Sequence, residues 1–283
     1  MSTREDRIKV LYDTQEWIEN DADLSASIPR AKEHTTVYYE NQYPNYYSRD
    51  LKDTKIYVTG NRSFEAAMKL RKENPTAKIA VMNFANSIVP GGGVKNGSNA
   101  QEEALCRIST LYPLLYRHSL EKDFYSHHKK KNSPRASDSL IYTSGVIICK
   151  TDEEEPKRLP KEEWVEVDVI TIAAPDLRDE PNKHFDLIGG GTIMTDVEQF
   201  GYHVKRAIHM LTCAAAEGAE ILVLGAFGCG AFRNNPEIVA KAYKVALKEF
   251  PKVFEKVEFA VYCPPSGSTN YEVFKKVLGK KNG

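Results

Sequence analysis

The chain has 283 residues, 41% hydrophobic and 28% charged, a composition that supplies a real core and excludes disorder throughout. Lys and Arg number 39, as do Asp and Glu, so no global field draws the chain onto nucleic acid or an anionic membrane, and an anionic ligand has to be bound locally. The cysteines, Cys106, Cys149, Cys213, Cys229 and Cys263, form no CxxC pair and no run approaches the ~20 apolar residues of a membrane span, which leads us to expect a cytoplasmic protein with no disulfide framework, no metal and no cofactor.

Residues 7 to 39 read as amphipathic helix, with Val10, Leu11, Trp17 and Ile18 at roughly helical spacing until Pro29 interrupts. The tyrosine-rich 38–47 reads as a connector. A β-branched strand at 55–59, a helix at 63–74 and a strand at 78–83 then make a βαβ unit. Further strands are expected at 140–149, 164–173, 221–224 and 257–262, and helices at 197–217, 236–250 and 271–278. Strands alternating with helices predict an α/β fold whose mixed or parallel sheet is covered on both faces. Three loops interrupt the order. Residues 126–135, with His127 and His128, read as a basic solvated run able to touch an anionic polymer; 151–160 are acidic; 176–195 contain a second triple glycine, Gly189 to Gly191, with no acidic pair after it.

The stretch from Val81 to Leu105 concentrates the chemistry, because a buried strand runs into a glycine loop and then into an acidic helix start. Gly91, Gly92 and Gly93 have no Cβ, so their amides can approach a ligand closely. A flexible turn is the alternative. Asn99 is expected to cap the helix with Glu102 three residues on, placing Gln101, Glu102 and Glu103 in the first turn of a helix that runs to about Leu111. On spacing alone, complementing the helix dipole explains both acids equally well.

Gly91-Gly92-Gly93, seven residues, then Gln101-Glu102-Glu103 resembles the catalytic loop of the poly(ADP-ribose) glycohydrolases. The continuation from Ala104 to Tyr112 resembles the microbial-type branch, and residues 221–236 resemble the strand and diphosphate loop of the same fold. The resemblance implies a macrodomain-like three-layer α/β/α fold with a mixed central sheet, residues 51–283 forming the catalytic domain and 1–50 an N-terminal helical accessory segment. It implies hydrolysis of O-glycosidic ribose–ribose bonds, with poly(ADP-ribose) or an ADP-ribosylated protein as substrate and ADP-ribose as product. Neither sequence-specific nucleic acid nor membrane is an expected partner.

The resemblance also assigns roles. Glu103 would protonate the departing ribose oxygen and then deprotonate the attacking water, while Glu102 orients ribose hydroxyls. Asn86 would face the distal ribose, a turn role before Ser87 being the alternative, and Gln101 joins the binding set. The loop carrying Gly225, Phe227, Gly228, Cys229, Gly230, Ala231 and Phe232 would hold the diphosphate on its N–H groups. Phe227 and Phe232 are its walls or else core; Cys229, with no His nearby in sequence, is a packing thiol rather than a nucleophile. Asp176, after Ala174-Pro175, is an adenine contact. A helix N-terminus favours the ionised carboxylate, so an acid there needs desolvation by the ligand. Adjacent residues lie about 100° apart around a helix and cannot straddle one bond as a separated carboxylate pair does, so a single acid/base glutamate is expected. A non-catalytic ADP-ribose reader, a mono-ADP-ribosyl hydrolase and an unrelated nucleotide-phosphate hydrolase are the competing readings; a metal-dependent enzyme would need a carboxylate or His cluster that the sequence does not offer.

Overall fold

A computed structural model of the chain describes residues 2–48, 53–179, 181 and 194–279. Helix α1 (Arg4–Asn20) starts at Thr3, whose hydroxyl accepts from the Asp6 N–H while the Asp6 carboxylate accepts from the Thr3 N–H, a reciprocal cap. It stops at Asp21, whose carboxylate caps α2 (Ala22–Glu33). The break expected at Pro29 thus falls eight residues earlier, and Pro29 lies within α2 without ending it. Residues 35–38, expected to be helical, form strand β1 (Thr35–Tyr38) instead.

The chain continues through β2 (Lys55–Thr59), α3 (Ser63–Glu73), β3 (Ile79–Ala85), α4 (Gln101–Arg107), α5 (Leu111–Leu115), α6 (His118–Leu120), α7 (Ser126–Lys131), β4 (Leu140–Ile148) and β5 (Val165–Ala173). It ends with α8 (Asp196–Ala216), β6 (Ile221–Leu224), α9 (Pro236–Ala246), β7 (Lys256–Ala260) and α10 (Thr269–Leu278). The helix expected to reach Leu111 is interrupted at Ile108, and the basic 126–135 stretch is helical at its start, with His128 buried rather than solvated. The second triple glycine lies outside the described residues.

One mixed sheet of order β1-β4-β5-β3-β6-β7-β2 organises the molecule. β5, β3, β6, β7 and β2 are parallel, β4 runs antiparallel to β5, and β1 antiparallel to β4. Met82, Ile170, Leu222, Leu224, Val257 and Phe259 pack on one face with residues of α8, α9 and α10. Val81, Val169, Ile221 and Val223 pack on the other with Phe64 of α3, Leu105 of α4, Leu111 of α5 and Leu11 of α1. Central strands buried on both faces read as continuous apolar runs, which is why their sequences do not alternate. The result is the three-layer α/β/α arrangement, and it gathers the C-terminal ends of the parallel strands at one edge, where open α/β sheets bind ligands. Among the described residues no helix is long and apolar enough to cross a membrane.

Candidate active site

β3 delivers the first half of the site. At its end the Asn86 Oδ1 accepts from the N–H groups of Ile88 and Val89 at 2.9 and 3.0 Å, an Asx turn that reverses the chain. Its Nδ2 donates to none of the described residues. The chain then passes through the three glycines and a short 3₁₀ turn, Val94–Asn96, before α4 begins.

The helix starts one residue later than its sequence suggested. Ala100 is the N-cap, and Glu103 occupies the third helical position, its Oε2 accepting from the Ala100 N–H at 3.1 Å and its Oε1 from the Gly93 N–H at 2.8 Å. Asn99 turns away, accepting from Arg107 Nη2 at 2.8 Å. Each Glu103 oxygen keeps a second lone pair, and the side chain is anchored at once to its own helix and to the glycine loop. The shift by one position sends Glu102 inward. It is buried, with Oε2 accepting from the Asn86 N–H at 2.8 Å and Oε1 from Asn83 Nδ2 at 3.3 Å. Burial, and then the neighbouring Glu103, push the Glu102 carboxyl well above the usual range.

Gly92 separates the two acids from the loop above them. Its φ is 56°, and a Cβ there would lie 2.5 Å from Glu103 Oε1 and 3.0 Å from Glu102 Oε2. Gln101, expected to touch substrate, is turned into the protein: Nε2 donates to Met82 O at 2.7 Å and to Ser63 Oγ at 3.0 Å, and Oε1 accepts from the Phe84 N–H at 2.8 Å. It fastens α4 to the end of β3. Asn83, which sequence reasoning passed over, is fully buried on β3 and also reaches Thr171 Oγ1 on β5 at 3.2 Å. The signal was there, since a lone asparagine in an apolar strand must find partners.

β6 delivers the second half. After Gly225 the chain turns back on itself through Phe227 N–H to Gly225 O and Asn234 N–H to Gly228 O bonds, leaving the N–H groups of Gly228, Gly230, Ala231 and Phe232 without an acceptor among the described residues. Asn234, also missed in the sequence, is the hub of this loop: Nδ2 donates to Pro175 O at 2.7 Å and to Gly228 O at 3.1 Å, while Oδ1 accepts from Gln199 Nε2 and His203 Nε2. Gly228, at φ 74°, packs so tightly that a Cβ would meet Asn234 Nδ2 and Ala174 Cβ at 2.6 Å. Of the two expected walls, Phe227 is core, its ring against Phe84 and His203. Phe232 is half-buried, with the Arg178 guanidinium 5.4 Å from its centroid and Arg178 held in turn by the buried Asp176 at 2.5 and 2.8 Å. Asp176 therefore positions a cation beside the loop. Burial raises the Cys229 thiol far above its ordinary range, which suits packing and not attack.

The two halves touch because β3 and β6 are neighbours in the sheet: a Cβ on Gly225 would lie 2.8 Å from Phe84 Cζ. Backbone N–H groups with no acceptor among the described residues thus stand beside a loop that holds two carboxylates. Among the described residues no group of three His, Cys, Asp or Glu is placed to hold a metal ion.

The chain is similar to known proteins in sequence and in fold. The family described as Microbial-type PARG, catalytic domain matches residues 9–151, half of the chain, including the glycine loop and α4. A crystal structure of poly(ADP-ribose) glycohydrolase from Thermomonospora curvata superposes with a TM-score of 0.81 at 28% identity, covering 96% of this chain and 99% of that one. The same enzyme bound to the inhibitor ADP-HPD gives 0.79 at 28% identity over 95% and 98%. The poly(ADP-ribose) glycohydrolase of Deinococcus radiodurans in complex with ADP-ribose gives 0.73 at 29% identity over 88% and 95%. The search of curated proteins returned no match.

Proposed function

The chain belongs to the microbial-type poly(ADP-ribose) glycohydrolase family, and on that premise we propose that it releases ADP-ribose from poly(ADP-ribose) with Glu103 as the acid and then the base. The observation that carries this assignment is the double anchoring of Glu103, to Gly93 and to Ala100, in the loop that adjoins the diphosphate-binding turn. Residues 51–283 hold both loops, and residues 1–50 are the accessory segment that braces them. The five cysteines are all free, which suits a reducing cytoplasm.

In this reading the open amides of residues 228–232 take the diphosphate, and Arg178 with Phe232 borders it. Asn86 Nδ2 and Glu102 meet the distal ribose, Glu102 being held by the Asn86 N–H and Asn83 Nδ2, with burial pushing its carboxyl up. Bound ligand desolvates the Glu103 carboxyl. Protonated Glu103 then gives its proton to the leaving ribose oxygen as the anomeric C–O bond breaks and the sugar takes on oxocarbenium character. Its carboxylate next removes a proton from the water that bonds to the anomeric carbon, so the enzyme ends as it began. Adjacent acids on one helix turn do not flank a bond, which leaves one glutamate to serve both half-steps.

Glu103→Gln keeps the side-chain shape and one acceptor for the two N–H groups of Gly93 and Ala100, its amide nitrogen being unable to accept the other, and removes the proton donor. Release of ADP-ribose from the polymer should fall by about 10²–10⁴-fold, the range of a lost general acid, while the affinity for ADP-ribose measured by calorimetry stays within a few-fold of wild type. Unchanged turnover would refute the role. Binding of ADP-ribose by a wild-type protein that cleaves nothing would mark a reader instead.

A further inference from the structure

Beside the glycine loop, and outside the groups assigned above, a cation and two tyrosines form a stack open to solvent. The buried Tyr112 ring lies directly under Gly91, where a Cβ would come within 2.7 Å of its Cδ2. Tyr116, one helical turn on, stacks on it with centroids 5.7 Å apart and planes inclined by 19°, and is 61% exposed. Lys95, two residues past Gly93, places its Nζ 4.5 Å from the Tyr116 centroid and 5.9 Å from that of Tyr112. The ammonium thus lies near both rings, and the Tyr116 side chain remains largely exposed beside it. Among the described residues Lys95 makes no ion pair, unlike Lys69, Lys78, Lys129, Lys131, Lys150 and Lys161. Tyr12 of α1, also exposed, stands near enough to bear on the same ammonium.

We propose that Tyr116 and Lys95 form a subsite for the nucleotide on the leaving side of the scissile bond, the base stacking on the open tyrosine face and a phosphate pairing with the ammonium. The proposal rests on the reading of Glu103 above. In a ribose–ribose linkage the departing oxygen belongs to the adenosine ribose of the next unit, so that unit's adenine and diphosphate lie within one sugar of Glu103. An aromatic face is what an unpaired purine needs, and an ammonium not already neutralised by a carboxylate is what its diphosphate needs. The path from the reacting atoms to both is short and continuous, since Glu103 bonds Gly93, Lys95 follows in the same turn, and Tyr112 supports Gly91.

The test compares poly(ADP-ribose) with a substrate that lacks the second nucleotide, ADP-ribose joined through its terminal anomeric oxygen to a nitrophenol. Tyr116→Ala and Lys95→Ala should each raise KM for the polymer on the order of tenfold, the factor of one lost stack or contact, with kcat little changed and the nitrophenyl substrate processed as before. Tyr116→Phe should behave as wild type, and Lys95→Ala should flatten the rise of polymer KM with salt. Equal effects on both substrates, or none on the polymer, would overturn the proposal. Binding without turnover separates it from its premise: if a dimer of ADP-ribose binds more tightly than the monomer and Tyr116→Ala abolishes that preference, the subsite stands whatever the wild-type turnover shows. A wild-type protein that cleaves neither substrate would sink the Glu103 assignment alone, and an unchanged dimer preference would sink the subsite alone.

Discussion

At position 92 the backbone runs at a φ of 56°, and the nearest atom to a Cβ built there is Glu103 Oε1, 2.5 Å away. Alanine would have to hold a left-handed conformation, at about 1 kcal/mol, and push the carboxylate off the Gly93 N–H. The second effect is the larger one for function, because a displacement of about 1 Å in a catalytic group costs on the order of 100-fold in rate. Gly92→Ala should therefore lose about two orders of magnitude in kcat on the polymer, with only a small loss in thermal stability. Near-normal kcat in a folded Gly92→Ala protein would show that the loop does not set the position of Glu103. The same neighbourhood marks the limit of reading single residues from sequence. Gly91 to Gly93 and the Gln-Glu-Glu run were visible as a motif, but the roles of Gln101 and Asn83 were not. Their partners, Phe84 N, Met82 O and Thr171 Oγ1, are set by how α4 folds back on β3 and how β3 pairs with β5, and neither periodicity nor capping rules contain that information. The helix start was misplaced by one residue for a related reason: Asn99 is a good cap in isolation, but Arg107 claims its side-chain oxygen.

Elements whose stability comes from one sheet were legible, and those that depend on a neighbour were not. β2, β3, β5, β6 and β7 are apolar, β-branched runs and announce themselves. β1 has four residues, Thr-Thr-Val-Tyr, and exists because β4 supplies its ladder; α7 hides behind its lysines, though His128 on it is buried. The N-terminal segment is more closely joined to the site than an appended helical layer would be. Arg7 Nε donates to Gly97 O at 2.7 Å, Thr14 Oγ1 donates to Arg107 O at the end of α4, and the buried Lys150 pairs with Asp13 at 2.6 Å. Leu11 and Ala31 sit in the core beneath α4 and α5. Cutting the chain to residues 51–283 would expose that apolar surface, remove an edge strand and strand a buried lysine without its partner, each a destabilisation of about 2–5 kcal/mol. Against a typical total of about 5–15 kcal/mol, the truncated chain should fail to unfold cooperatively in a urea titration followed by circular dichroism. A sharp transition with retained polymer cleavage would show that the first 50 residues are dispensable.

Over the whole molecule, burial of two histidines sets how the fold answers acid. His203, against Asn234 in the loop after β6, and His128, whose Nδ1 donates to Phe124 O while Nε2 accepts from the Ser137 N–H, both have pKa values lowered by burial from 6.5 to about 4. Each is neutral in the fold, and each takes up a proton more readily in the unfolded chain. The stability they contribute is therefore complete above about pH 6.5, declines as pH falls, and is lost once pH passes the folded value near 4. For each, the full loss is on the order of 3 kcal/mol. Glu102 and Asp152 act in the opposite sense, because burial raises their carboxyls and the folded state holds their protons more firmly. The sign of the net curve is thus a contest, and a difference between two proteins isolates one contributor. His128→Gln retains a donor and an acceptor in roughly the same place and removes one titrating group. Urea unfolding at several pH values between about 4.5 and 7.5 should give a stability that falls less steeply with acid in this variant, by up to about 1.4 kcal/mol per pH unit, one proton's worth. Parallel curves would mean that His128 is not held neutral by the fold, because a histidine that titrates alike in both states leaves the slope untouched.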